Sequence, residues 1–137
     1  MEGEETPGQM PVSELVEDNV VRAAPGLSLV EVAEILSSAE VGVVVLSEGG
    51  KAVAVVSERD LVRAVAERRD PTTTHAIDVG NTSLIWCDVT ATVAEVAAEM
   101  MDRYVRHILV EENGALIGVV SARDLLGAYA SGEDDPL

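Results

Sequence analysis

The sequence predicts an α/β protein of the α+β kind, in which one β-α-β-β-α unit occurs twice. Three observations predict it. The stretch VVSERDLVRAV at residues 55–65 returns as VVSARDLLGAY at residues 119–129, and residues 12–66 align with 76–130 at an offset of 64 without a gap. Each copy places apolar residues at helical spacing, behind a residue that can cap a helix. Each copy then carries two short apolar runs around a glycine-containing turn.

The elements follow in order. A short apolar strand opens each copy, Val20-Val21 in the first and Leu84-Ile85-Trp86 in the second. An amphipathic helix comes next. Leu29, Val32, Ala33 and Leu36 stand at i, i+3, i+4 and i+7, as do Val93, Val96, Ala97 and Met100. Both helices begin with a capping box, Ser28-x-x-Glu31 and Thr92-x-x-Glu95. Two strands then flank a turn: VVVL and AVAVV around Glu48-Gly49-Gly50, and HILV and LIGVV around Asn113-Gly114. A second helix closes each copy, opened by Ser57 or Ser121. Residues 68–75, RRDPTTTH, are polar and aperiodic and read as a connector between repeats 12–67 and 76–131.

The ends differ from the middle. The formal net charge is −16, and residues 1–18 hold six acids and no base, so residues 1–11 read as a flexible acidic tail and residues 132–137 as a second one. That charge repels nucleic acid and anionic membrane surfaces. With no Phe, one Trp and two Tyr, the chain offers no aromatic platform for single-stranded bases. Apolar runs such as residues 43–46 are far too short to span a bilayer, and the acidic start is not a secretory signal. The lone Cys87 cannot form an internal disulfide, and a cytoplasmic location is expected. Half of 137 residues would bury only a thin core, so the copies are expected to form one unit.

The repeated Ser-x-Arg-Asp supports two readings. In the first, Ser57 with Asp60 and Ser121 with Asp124 are the N-cap and N3 residues of a helix and satisfy its unpaired N–H groups. In the second, the same helix end welcomes a phosphate, the serine hydroxyl adds a donor, and the aspartate accepts hydrogen bonds from the adjacent hydroxyls of a ribose. Arg59 and Arg123 are solvated charges or contacts to terminal phosphates. Met100, Met101 and Tyr104 form an apolar patch suited to core packing or to a dimer interface. Cys87 and His75 lack metal-ligand spacing and an orienting third group, so neither a metal site nor a catalytic pair is expected.

Residues 12–131 resemble a tandem pair of CBS domains, a family of β-α-β-β-α repeats. Each repeat ends in Gly-apolar-x-Ser/Thr-x-x-Asp, matched here by Gly118-Val119-Val120-Ser121-Ala122-Arg123-Asp124. Ala54 stands where Gly118 would fall in the first copy, and its methyl is expected to crowd backbone that must approach a ligand. The resemblance implies repeats packed through their sheets with pseudo-twofold symmetry. It also implies clefts for AMP, ADP, ATP or S-adenosylmethionine, and a homodimer. By position it makes Asp60 and Asp124 ribose acceptors and sets Ser57 and Ser121 near the phosphates. Arg106 and His107 fall where phosphate contacts lie, and the first copy has Gly42 and Val43 there. The cleft around Asp124 is therefore favoured. The expected role is regulatory and not enzymatic, with no required cofactor and with output to a separate protein partner. The alternative is a ligand-free scaffold for dimerisation and docking.

Overall fold

In the computed structural model, which describes residues 6–16 and 20–132, ten regular elements follow the order the repeat demands. The first copy comprises β1 (Arg22–Ala23), α1 (Leu29–Ala39), β2 (Val43–Glu48), β3 (Lys51–Ser57) and α2 (Glu58–Ala66). The second comprises β4 (Trp86–Asp88), α3 (Val93–Arg103), β5 (His107–Glu112), β6 (Ala115–Ser121) and α4 (Ala122–Gly132). Each forms a three-stranded sheet in sequence order, with the first strand parallel to the second and the second antiparallel to the third.

Local chemistry accounts for the boundaries. Ser28 and Thr92 accept from the amides of Glu31 and Glu95, whose carboxylates accept in return from the Ser28 and Thr92 amides at 2.8 and 2.9 Å. The hairpins turn on Gly49-Gly50 (φ 60° and 82°) and Asn113-Gly114 (φ 54° and 82°), the paired positive φ that suits right-twisted strands. The opening strands lie two residues later than the apolar runs suggest. Val21 and Ile85 point into their cores and give only their carbonyls to the amides of Val45 and Leu109, both at 2.9 Å. The ladder proper starts on the residues that follow.

The chain divides into two compact units. One is Val20–Leu84; the other joins the N-terminal residues 6–16 to the chain from Ile85 onward. The core of the first unit is Val32, Leu36, Val44, Leu46, Ala54, Val56 and Ala76. That of the second is Val12, Val93, Val96, Met100, Ile108, Val110, Val120 and Leu125. Val12 and Ala76, 64 residues apart, are both fully buried, and each belongs to the core of the other repeat.

The backbone repeats the exchange. Val12 N donates to Ala91 O (2.7 Å) and Val93 N to Met10 O (2.8 Å); Ala76 N donates to Leu27 O (2.7 Å) and Leu29 N to Thr74 O (3.2 Å). Isolated bridges Pro11↔Thr92 and Ser28↔His75 fall at the same offset. The segment ahead of each repeat thus completes the other one. For this reason residues 6–11, which the sequence assigns to a flexible tail, are seated instead. Pro7–Gln9 and Val12–Leu15 form 3-10 turns, and a Cβ on Gly8 would lie 3.3 Å from both the Ala94 Cβ and the Tyr129 hydroxyl. The remainder of that acidic tail, residues 1–5, lies outside the described residues, as does all of the C-terminal one beyond Gly132, where α4 ends.

Of the apolar patch on α3, Met100 is core, whereas Met101 and Tyr104 are exposed. Tyr104 is the left-handed C-cap of α3 (φ 56°).

Candidate functional site

The mouth of α4 is assembled by the β5–β6 hairpin. Register pairs His107 with Ser121 at its open end. One step before β5, the Arg106 carbonyl accepts from Ala122 N at 2.8 Å, which ties the entry of β5 to the first turn of α4. Ser121 and Asp124 then close a reciprocal box: Asp124 Oδ2 accepts from Ser121 N at 2.9 Å, and Ser121 Oγ accepts from Asp124 N at 3.0 Å. The capping reading of the motif is therefore realised.

The box does not exhaust the carboxylate. Two oxygens offer about four lone-pair sites, and among the described residues only Oδ2 of Asp124 is engaged. Asp124 and Ser121 are half-buried, whereas Arg106 and Arg123 are exposed and form no ion pair among the described residues. Asp124, Ser121, Arg106 and His107 therefore gather at one hairpin end, joined by Arg123 on the first turn of α4. Gly118 does not join them. It pairs with Val110 three residues back along β6, roughly 10 Å from Ser121 at strand rise, and it is buried on the helix-facing side with Val120.

The first copy repeats the frame with different contents. Glu58 N donates to Gly42 O at 3.0 Å, and Val43 pairs with Ser57. Asp60 Oδ2 accepts from both the amide and the hydroxyl of Ser57, at 2.8 and 3.1 Å, and Oδ1 accepts from Arg63 Nη1 at 3.1 Å. Both oxygens of Asp60 are thus occupied. Arg59 is exposed.

Ala54 does not crowd this turn. Its methyl lies on the same face as Val56, fully buried in its own core, where it packs 3.5 Å from the Cβ position of Gly80. A residue three positions before the serine faces the opposite side of the strand from it. Beside the exchange of Arg106-His107 for Gly42-Val43, two further differences reach the turn, Arg63 and Glu58, which fall on Gly127 and Ala122 at the 64-residue offset. The repeat displayed those pairs, but side-chain reach made them significant.

Cys87 pairs with Val110 in the β4–β5 ladder and is half-buried. Burial, with Asp88 and Glu111 nearby, pushes its thiol up to about 11, so it is protonated at neutral pH and a poor nucleophile. Among the described residues no group of three His, Cys, Asp or Glu could hold a metal ion, and no helix is long and apolar enough to cross a membrane.

Comparison with known proteins agrees with this architecture. The CBS domain family model matches residues 12–67 and again 76–131. Protein MK0525 of Methanopyrus kandleri is 30% identical over 118 residues, 84% of this chain, and the chain spans 60% of its length. Among solved structures, CBS domain protein PAE2072 from Pyrobaculum aerophilum, complexed with AMP, is 32% identical with a TM-score of 0.75, over 89% of this chain and 99% of that one. The CBS domain pair of protein MJ0100, in complex with 5′-methylthioadenosine and S-adenosyl-L-methionine, is 18% identical with a TM-score of 0.80, over 91% and 98% of the two chains. The chain belongs to the CBS-domain family and carries two of its domains in tandem.

Proposed function

We propose that the protein is a regulatory module that holds an adenosine-containing ligand at the mouth of α4 and passes the effect to a separate protein partner. The observation that carries this reading is the half-buried Asp124 carboxylate with Oδ1 unengaged among the described residues, on a helix end flanked by Arg106, His107 and Arg123. Asp124 accepts the ribose diol. Ser121 and the arginines meet the phosphates. Arg123 reaches them from the first turn of α4, and Arg59 is its counterpart in the first copy.

The cations favour AMP, ADP or ATP over S-adenosylmethionine, which carries no phosphate. Binding of AMP by the relative from Pyrobaculum aerophilum supports the same class. The protein acts in the cytoplasm as a homodimer, without catalysis and without a required cofactor. Its ligand shifts the equilibrium between two arrangements only to the extent that it binds them with different affinity.

A second reading is favoured by the capping bonds of Asp60 and Asp124: a ligand-free scaffold, in which both aspartates only brace their helices. Calorimetric titration with AMP, ADP, ATP and S-adenosylmethionine separates the two. Sensing requires micromolar to millimolar binding of at least one, tighter for the phosphorylated ligands. Absence of binding at millimolar concentration leaves the scaffold.

A further inference from the structure

The two copies share one turn but arm it with opposite chemistry, and we propose that Arg63 and Glu58 close the first-copy turn to nucleotides, so that each chain has a single seat, on Asp124. The inference rests on the nucleotide reading above and names the residues that make that seat the only one.

The first difference lies at the carboxylate. Asp60 is only 13% exposed, and the guanidinium of Arg63, itself 56% exposed, lies against Oδ1 at 3.1 Å. With Ser57 on Oδ2, a diol has to displace an existing partner at the outer oxygen. In the second copy Gly127 stands in place of Arg63, and a Cβ there would meet nothing within 4 Å. Asp124 Oδ1 accepts no hydrogen bond among the described residues.

The second difference lies at the phosphate corner. Glu58 Oε1 is 3.6 Å from the Cβ position of Gly42, so a carboxylate stands beside the backbone where the second copy carries Arg106. Ala122 replaces Glu58 there and adds no charge. A phosphate arriving at this corner meets Glu58 beside Arg59 in the first copy, and Arg106 with Arg123 and no acid at the matching position in the second. The partly exposed Asp60–Arg63 pair alone weakens binding only a few-fold. Loss of the Arg106 cation and gain of the Glu58 anion at the corner supply the rest, and together they make the first seat at least about tenfold weaker.

The test is the number of AMP molecules bound per chain, measured by calorimetry at fixed ionic strength. Glu58 and Arg63 are exposed, so their replacement leaves the cores intact. Wild type is expected to bind one AMP per chain and the double variant Glu58→Ala/Arg63→Ala two. Adding Asp60→Ala to that variant returns the number to one. The reverse exchange, Ala122→Glu/Gly127→Arg, weakens wild-type binding at least tenfold. If wild type binds two AMP, or the double variant stays at one, the inference is overturned while the Asp124 reading stands. If wild type binds none and the double variant binds one through Asp60, closure of the first-copy turn by Arg63 and Glu58 stands and the Asp124 seat falls. If neither binds, both fall.

Discussion

Val12→Asp is expected to unfold the second unit while a charge one residue further on does little. Val12 is fully buried among Val93, Val96, Ile108, Val110 and Val120, and its amide is tied to Ala91 O. An aspartate there buries an unpaired carboxylate or forces the segment out of the core. Either outcome costs about 4 kcal/mol or more, a large part of the ordinary stability of a domain. In a chain of this size that corresponds to a fall in Tm on the order of 12–16 °C, read by circular dichroism. Ser13→Asp, at an exposed neighbouring position, should move Tm by less than about 2 °C. Ala76→Asp tests the reciprocal seat in the first unit with the same expected loss. An unchanged Tm for Val12→Asp would mean that residues 6–16 are an appendage and that the exchange of segments contributes nothing to folding.

Asp124→Ala is expected to weaken AMP binding by about tenfold or more, since charge-assisted hydrogen bonds are worth roughly 1.5–3 kcal/mol. The same substitution also removes a capping partner, at a cost near 1 kcal/mol of stability. Asp124→Asn separates the two effects. Its amide oxygen still accepts from Ser121 N, so the helix end is kept, but the charge is gone and one of two acceptors becomes a donor. Asn should therefore retain most of the stability and lose most of the affinity. Equal affinity for wild type, Asn and Ala, with stability lost only in Ala, would show that Asp124 is only a cap and that AMP is held elsewhere.

Much of this architecture was legible because it is written in local patterns. The offset of 64 paired every element, the Ser28 and Thr92 boxes opened α1 and α3, and Asn113-Gly114 turned its hairpin as its φ preference requires. The exchange of segments was not legible. Each segment buries one small apolar residue completely, Val12 or Ala76, with partly buried neighbours at no helical or strand period, and is held by backbone hydrogen bonds to residues far away in sequence. A short aperiodic stretch with a few scattered apolar residues looks the same whether it is solvated or docked.

The site was legible in outline. Ser121 and Asp124 meet as their spacing requires, and Arg106 and His107 reach them through strand register. The effect ascribed to Ala54 failed on strand parity, since its methyl faces the core. The part of the difference between the two copies that spacing did not show lies in Arg63 and Glu58, beside the exchange of Arg106 for Gly42 that the repeat displays. Their weight depends on which oxygen a guanidinium covers and where a carboxylate rests, and spacing alone does not encode either.

The most direct test follows backbone amides of 15N-labelled protein by NMR as AMP is added. A nucleotide seat at the mouth of α4 predicts saturable shifts centred on Ser121, Ala122, Asp124, Arg106 and His107, with Ser57 and Asp60 little moved. Saturation with those five amides unmoved, or no response at millimolar AMP, would contradict it.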